Sequence, residues 1–224
     1  METYTLKTAG ADLVHDVRGP LPTADGRPPL FMIGQPMDAT GFVALAARFP
    51  ERTVVTYDPR GLGRSVRKDG RTDHTPETQA DDVHAVIEAL GAGMAAFVAM
   101  TSWEGEFTDA YFAQPDPDPA AFGMPTEDDG TRGDPLLSDG SWAISDYRPD
   151  VDALVSAATR VVIAVGEESR SVQTGRTSDA TAELLGQRVT VFPSHHGGFL
   201  DGEFGYPGKP DEFGQRLREV LDAS

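Results

Sequence analysis

The order of apolar and polar positions divides the chain into two regular stretches around an irregular middle. Residues 4–7 and 11–17 flank Gly10 and predict an amino-terminal hairpin. A Pro- and Gly-rich loop, residues 19–29, comes next. Residues 30–33 are a short apolar run, the pattern of a strand covered on both faces. Residues 42–49 place apolar side chains at helical spacing, and residues 53–57 are β-branched and aromatic, which predicts another strand. Strand, helix and strand in this order make a parallel crossover unit.

Thr75-Pro76-Glu77 opens the next helix, with threonine as cap, proline at the first position and an early acidic residue. The helix runs through Ala80, Val83, Ile87 and Leu90 and stops at Gly91. Residues 94–100 are apolar throughout, and periodicity alone does not choose between strand and helix there. Over residues 102–149 the pattern dissolves. Trp103, Phe107, Tyr111, Phe112 and Phe122 lie among many Pro, Asp and Gly, which reads as an irregular insertion or lid. Regularity returns with a helix at 151–157, a buried strand at 160–165 and a helix at 178–185 capped by Ser178. A strand at 188–192 and an amphipathic helix at 211–221 close the chain, and no internal repeat is present. The expected organisation is one α/β domain: residues 1–93 and 150–224 form its core and residues 94–149 interrupt it.

Composition narrows the chemistry. Hydrophobic residues make up 39% and charged residues 25%, a globular balance. With 19 Lys and Arg against 36 Asp and Glu, the net charge is −17, which argues against a nucleic-acid partner and disfavours anionic membranes and substrates. There is no cysteine, so disulfides, thiolate metal sites and a cysteine nucleophile are excluded. The first residues lack a basic segment followed by an apolar stretch, and no run reaches the roughly 18 apolar residues of a spanning helix. The expectation is a cytoplasmic protein with no membrane association and no cofactor.

Three motifs stand out. The first predicted parallel strand ends in Ile33-Gly34-Gln35-Pro36, and the second runs into Tyr57-Asp58-Pro59-Arg60-Gly61-Leu62-Gly63-Arg64-Ser65. After the last strand comes Phe192-Pro193-Ser194-His195-His196-Gly197-Gly198-Phe199. The glycine-rich turn is no Walker loop, which needs Gly-Lys-Ser/Thr, and no dinucleotide loop, which needs a third glycine opening a helix. Adjacent histidines rarely converge on one metal ion, and no ligand cluster accompanies these two.

Together the motifs resemble the α/β-hydrolase superfamily, over about residues 1–93 and 150–224. The resemblance implies a mostly parallel sheet flanked by helices, with a lid. It makes the Asp58–Ser65 stretch a structural turn and the Gln35 backbone N–H part of an oxyanion hole, although Ile33 stands where the family usually has histidine. It makes His196 the general base, since His196-Gly197-Gly198-Phe199 fits the family's loop, with His195 as its neighbour. The orienting acid should follow the strand ending at Gly166. The family's commonest form has Asp three residues after that glycine, where this chain has Ser169; Glu167 and Glu168 are the carboxylates at hand, and Glu168 is the choice.

The nucleophile departs from the pattern, because no serine sits in Gly-x-Ser-x-Gly. Ser102 falls at about the right distance after Leu90, but it has Met100 and Glu104 where small residues belong. Either Ser102 marks a degraded elbow after a central strand, or the elbow segment is absent and residue 94 already begins a lid helix. The second reading is preferred. It implies a sheet short of central strands, with an edge that a second copy could close. The expected function is hydrolysis of a small neutral ester, lactone or related substrate by Ser102, Glu168 and His196, with activity weak or lost. The alternative is a non-catalytic, truncated relative that binds a small apolar ligand or serves as an interaction module.

Overall fold

A computed structural model describes residues 1–34, 37–71, 75–91, 96–100, 148–205 and 207–223. These divide between two compact units: β1–β6 with α1 and α2 in one, and the elements from residue 151 onward in the other.

In the first unit, β1 (Glu2–Lys7) and β2 (Ala11–Arg18) form the expected antiparallel hairpin. β1 is largely exposed, whereas β2 is almost wholly buried because its other edge pairs with β4 (Val54–Tyr57). β4 in turn pairs in parallel with β3 (Leu30–Gly34), confirming the crossover. A 3-10 turn at Ala39–Phe42, capped by Asp38, leads into α1 (Val43–Ala47), which makes the connection. The crossover helix buries Ala44, Leu45 and Ala46 and leaves Val43 exposed. The sheet order is β1-β2-β4-β3-β6, with β5 (Val66–Arg67) pairing β2 to one side.

Leu13, Phe31 and Val55 are fully buried in this sheet. α2 (Pro76–Ala89) covers them with Val86 and with the partly buried Val83 and Ile87. Each such side chain contributes about 1.5–3 kcal/mol by leaving water. The sequence signals for α2 are those expected: Thr75 Oγ1 accepts the Thr78 N–H at 3.3 Å, Pro76 leads, and Gly91 past the end has φ +64°.

Residues 96–100 correct the preferred reading of the middle. They form a strand, β6 (Ala96–Met100), paired in parallel along the whole of β3, and not the start of a lid helix. Ser102 and the rest of the expected lid lie outside the described residues.

In the second unit, α3 (Val151–Ser156) is capped by Asp150. β7 (Ala164–Gly166) pairs in parallel with β8 (Thr190–Phe192). β7 is shorter than the expected strand at 160–165, and Arg160 lies outside it and exposed. Its guanidinium donates to Val220 O at 2.7 Å and to Ala223 O, carbonyls at the end of α5 (Pro210–Asp222). α4 (Gln173–Leu184) starts five residues before the predicted cap. Ser178 is interior, its Oγ donating back to Thr174 O at 2.9 Å. α5 packs Phe213 against Phe192 and Phe199, with ring centroids 4.7 and 5.7 Å apart. That docking holds the β8 loop from behind. No helix among the described residues is long and apolar enough to cross a membrane.

Candidate active-site loops

Two loops follow the carboxyl ends of parallel strands and contain the motifs. The first, after β4, is closed on itself by charge. Asp58 is 1% exposed, and its carboxylate accepts the Ala39 N–H at 3.0 Å, the Arg64 N–H at 2.8 Å and Arg64 Nε at 2.8 Å. Arg64 also reaches Asp16 through both terminal nitrogens, at 3.1 and 2.9 Å. Burial pushes the Asp16 pKa up, but the hydrogen bonds from Arg64 and Thr3 outweigh it and hold the carboxyl below its usual range. Arg60 forms a fork with Asp82 of α2, at 2.8 and 2.6 Å, and bonds Asp69 at 2.9 Å. The Ser65 hydroxyl donates to Asp58 O at 2.7 Å and accepts the Val14 N–H at 2.8 Å. Gly63 has φ +54°, and a Cβ there would stand 2.7 Å from Asp58 Oδ2, so both conformation and space demand glycine. This is a structural turn. Gln35, the candidate oxyanion donor, lies outside the described residues, though Gly34 before it ends β3.

The second site joins the loops after β7 and β8. Gly166 ends β7 where the β8 loop passes close: a Cβ would meet His195 C and O at 2.6 Å and Ser194 O at 2.7 Å. The Glu168 N–H donates to Ser194 O at 3.1 Å. Ser194 is 3% exposed and holds φ +68°, a left-handed conformation unusual for a residue with a side chain.

The two histidines are used differently. His195 Nδ1 accepts the Gly197 N–H at 3.0 Å, and Nε2 lies 3.1 Å from Pro207 O, so this ring ties the loop to itself. With one nitrogen accepting, the other must carry the proton and donate. His196 is exposed. Its N–H donates to Ser169 Oγ at 3.0 Å, and its ring Nδ1 stands 3.5 Å from the same oxygen. The loop covers part of the ring and disfavours its charged form, and His195 acts in the same direction, so its pKa lies below the ordinary histidine value. A carboxylate bonded to Nδ1 would push it the other way. Ser169 is 3% exposed at the end of the 3-10 turn Glu167–Ser169.

The structure therefore places Ser169, rather than Glu168, beside the His196 ring. Glu168 is exposed with its carboxylate 3.4 Å from Lys209 Nζ, and Glu167 lies 3.7 Å from the same ammonium. The sequence reading missed Ser169 because a carboxylate was sought; its spacing from Gly166 was the signal available. Among the described residues, no group of three or more His, Asp or Glu is placed to hold a metal ion.

Comparison with solved structures identifies the architecture. A hydrolase from Pseudomonas aeruginosa aligns over 99% of this chain and 98% of its own, with TM-score 0.63 and 18% identity. The chain has that fold, and its mixed α/β construction fits an α/β-hydrolase-like architecture. Partial likenesses include a candidate epoxide hydrolase from Pseudomonas aeruginosa, at 27% identity and TM-score 0.39 over 45% of this chain and 33% of that one. Epoxide hydrolase A from Mycobacterium thermoresistibile matches at 20% identity and TM-score 0.38, over 44% of this chain and 30% of its own. The matched part thus spans about a third of these two proteins. No protein-family model and no curated protein matches the chain.

Proposed function

We propose that this chain is a hydrolase-type protein in which His196 is the general base, acting on a small neutral ester, lactone or related substrate. The observation that carries the reading is the placement of an exposed imidazole, depressed in pKa, on a tightly bonded loop at the end of β8. A ring that is neutral at pH 7 can accept a proton, which a base must do. In this reading Ser102 supplies the nucleophilic hydroxyl and the Gln35 N–H steadies the oxyanion. Glu168, the acid proposed from sequence, takes no part in this reading, since its carboxylate faces Lys209.

A second reading, a non-catalytic relative that binds a small apolar ligand, draws support from two departures. Ser102 lacks small neighbours at Met100 and Glu104, and the residue beside Nδ1 carries no charge. Without an activated nucleophile, a positioned imidazole gives on the order of 10²–10⁴-fold assistance.

Hydrolysis of p-nitrophenyl acetate and a γ-lactone, with wild type, His196→Ala and Ser102→Ala, separates the two. The hydrolase reading expects turnover that falls at least tenfold in both variants. Turnover absent in wild type, or unchanged in His196→Ala, contradicts it.

A further inference from the structure

The His195 ring spans from the turn after β8 to the segment that precedes α5, and backbone groups with a single possible role fix the polarity of both its bonds. A backbone N–H can only donate, so Nδ1, which receives the Gly197 N–H at 3.0 Å, carries no proton. A backbone carbonyl can only accept, so Nε2, 3.1 Å from Pro207 O, carries the proton and donates it. The ring is neutral, and in one tautomer, wherever both bonds are made.

Two further bonds join the same turn to that segment: Lys209 N–H to Gly198 O at 2.8 Å and Gly208 N–H to Leu200 O at 3.0 Å. These are backbone pairs and do not titrate. An imidazole does, since histidine is the side chain whose charge ordinarily changes between pH 5 and 8. A second proton has one place to go, Nδ1, where it would point at the Gly197 N–H. Two donors would then face each other where donor and acceptor stood. The bond to Pro207 survives this change and the bond to Gly197 does not. The ring lies directly against the residue it would release, for a Cβ at Gly197 would stand 3.2 Å from His195 Cε1. Gly197 and Gly198, with the freest of backbones, can take up the movement.

His196 lies between the two ends of the bond that is lost. Its own N–H is held by Ser169 Oγ at 3.0 Å, so an opened turn pulls against that bond. We infer that His195 is a positioning residue, a proton-sensitive latch whose neutral ring closes the turn around His196 and whose charged ring opens it. The inference rests on the proposed role of His196, but the opening is measurable without turnover. The charged and titratable groups on the elements packed around the ring are few. His196 is next to it, with ring centroids 5.6 Å apart. Glu167 and Glu168 follow β7 and face Lys209, and Asp201 and Glu203 lie on the excursion that returns at Pro207.

The test is NMR of the full chain across pH 5–8. Long-range ¹H–¹⁵N correlation reads the histidine rings, and the ¹⁵N–¹⁵N coupling across the hydrogen bond reads Gly197 N–H to Nδ1. At the upper end of that range His195 is expected as the Nε2–H form, with the coupling present. As His195 takes up its proton the coupling should vanish. The His196 N–H should then exchange with solvent about tenfold faster, after correction for its intrinsic rate. In His195→Asn the side-chain oxygen stands in for Nδ1 and holds the Gly197 N–H without titrating. That variant should keep the turn closed throughout, with no step in His196 exchange. An Nδ1–H ring in neutral His195, a coupling that outlasts its protonation, or a step that persists in His195→Asn overturns the inference. Should the asparagine variant fail to fold, the wild-type coupling decides alone. The expected losses in a protein without esterase activity leave the latch standing and remove the hydrolase reading.

Discussion

At the end of β4, two arginines and four aspartates satisfy one another: Arg64 with Asp58 and Asp16, Arg60 with Asp82 and Asp69. At the end of β8, the loop is held by neutral bonds, from backbone N–H groups to a serine oxygen, a histidine nitrogen and a carbonyl. Both loops follow parallel strands and both require glycine at a point of close approach. They differ in what remains for chemistry. Charge-assisted bonds consume the polar groups of the first loop in fixing its shape, so it has rigidity and no titrating group on offer. The neutral bonds of the second fix the backbone too, beside an exposed imidazole whose pKa lies below the ordinary histidine value. The contrast teaches that, between these two loops, charged residues mark the scaffold and the neutral cluster marks the candidate site.

If the first loop is a scaffold, its removal should cost the most. Asp58→Ala strands the Ala39 N–H and leaves Arg64 without one carboxylate; about 3 kcal/mol of stability should be lost in urea unfolding. An effect under 1 kcal/mol would mean that water replaces the network. Next, Gly166→Ala should cost about 2 kcal/mol, because the atoms its Cβ meets are backbone and cannot swing aside. The same variant should displace the His196 resonances, since β7 would be pried from the β8 loop.

A smaller effect separates a buried histidine from an exposed one. His15 is 4% exposed and stacks on Tyr4; burial is the main cause of a lowered pKa, opposed by Asp16 and the Leu13 backbone. With its folded pKa below its unfolded one, its contribution to stability is complete above about pH 6.5 and is lost as pH falls through the folded value. His15→Phe should therefore flatten the stability–pH curve below pH 6.5, and an unchanged curve would refute the assignment. The smallest effect is a gain. Ser194→Gly should stabilise by about 0.5 kcal/mol, the relief of a left-handed residue less the flexibility added to the unfolded chain. A loss instead would show that the Ser194 side chain is needed where it is buried.

Much of the scaffold was legible in the sequence because its signals are local. Thr75-Pro76-Glu77 announced α2, the apolar run at 30–33 announced β3, and the Asp58–Ser65 motif announced its turn. Three features were not fully legible, each for a reason of non-local physics. Residues 94–100 become a strand because β3 offers an edge to pair, and a short apolar run says nothing about neighbours. Arg160 lies outside the strand and bonds carbonyls some 60 positions away. Ser169 was partly legible, since its spacing from Gly166 marked the position, but a carboxylate was sought there and its closeness to His196 depends on Gly166 letting two loops meet. The difference between His195 and His196 was hidden likewise, since it depends on Pro207.

The central claim is that one imidazole of the pair is presented for proton transfer while the other is built into the loop. Modification by diethyl pyrocarbonate, which attacks unprotonated imidazole, with each site read by peptide mapping across pH 5–8, tests it most directly. The account predicts that His196 is modified well before His195, with a midpoint below the ordinary histidine value. Modification of His195 as fast as His196, or a His196 midpoint above that value, would contradict it.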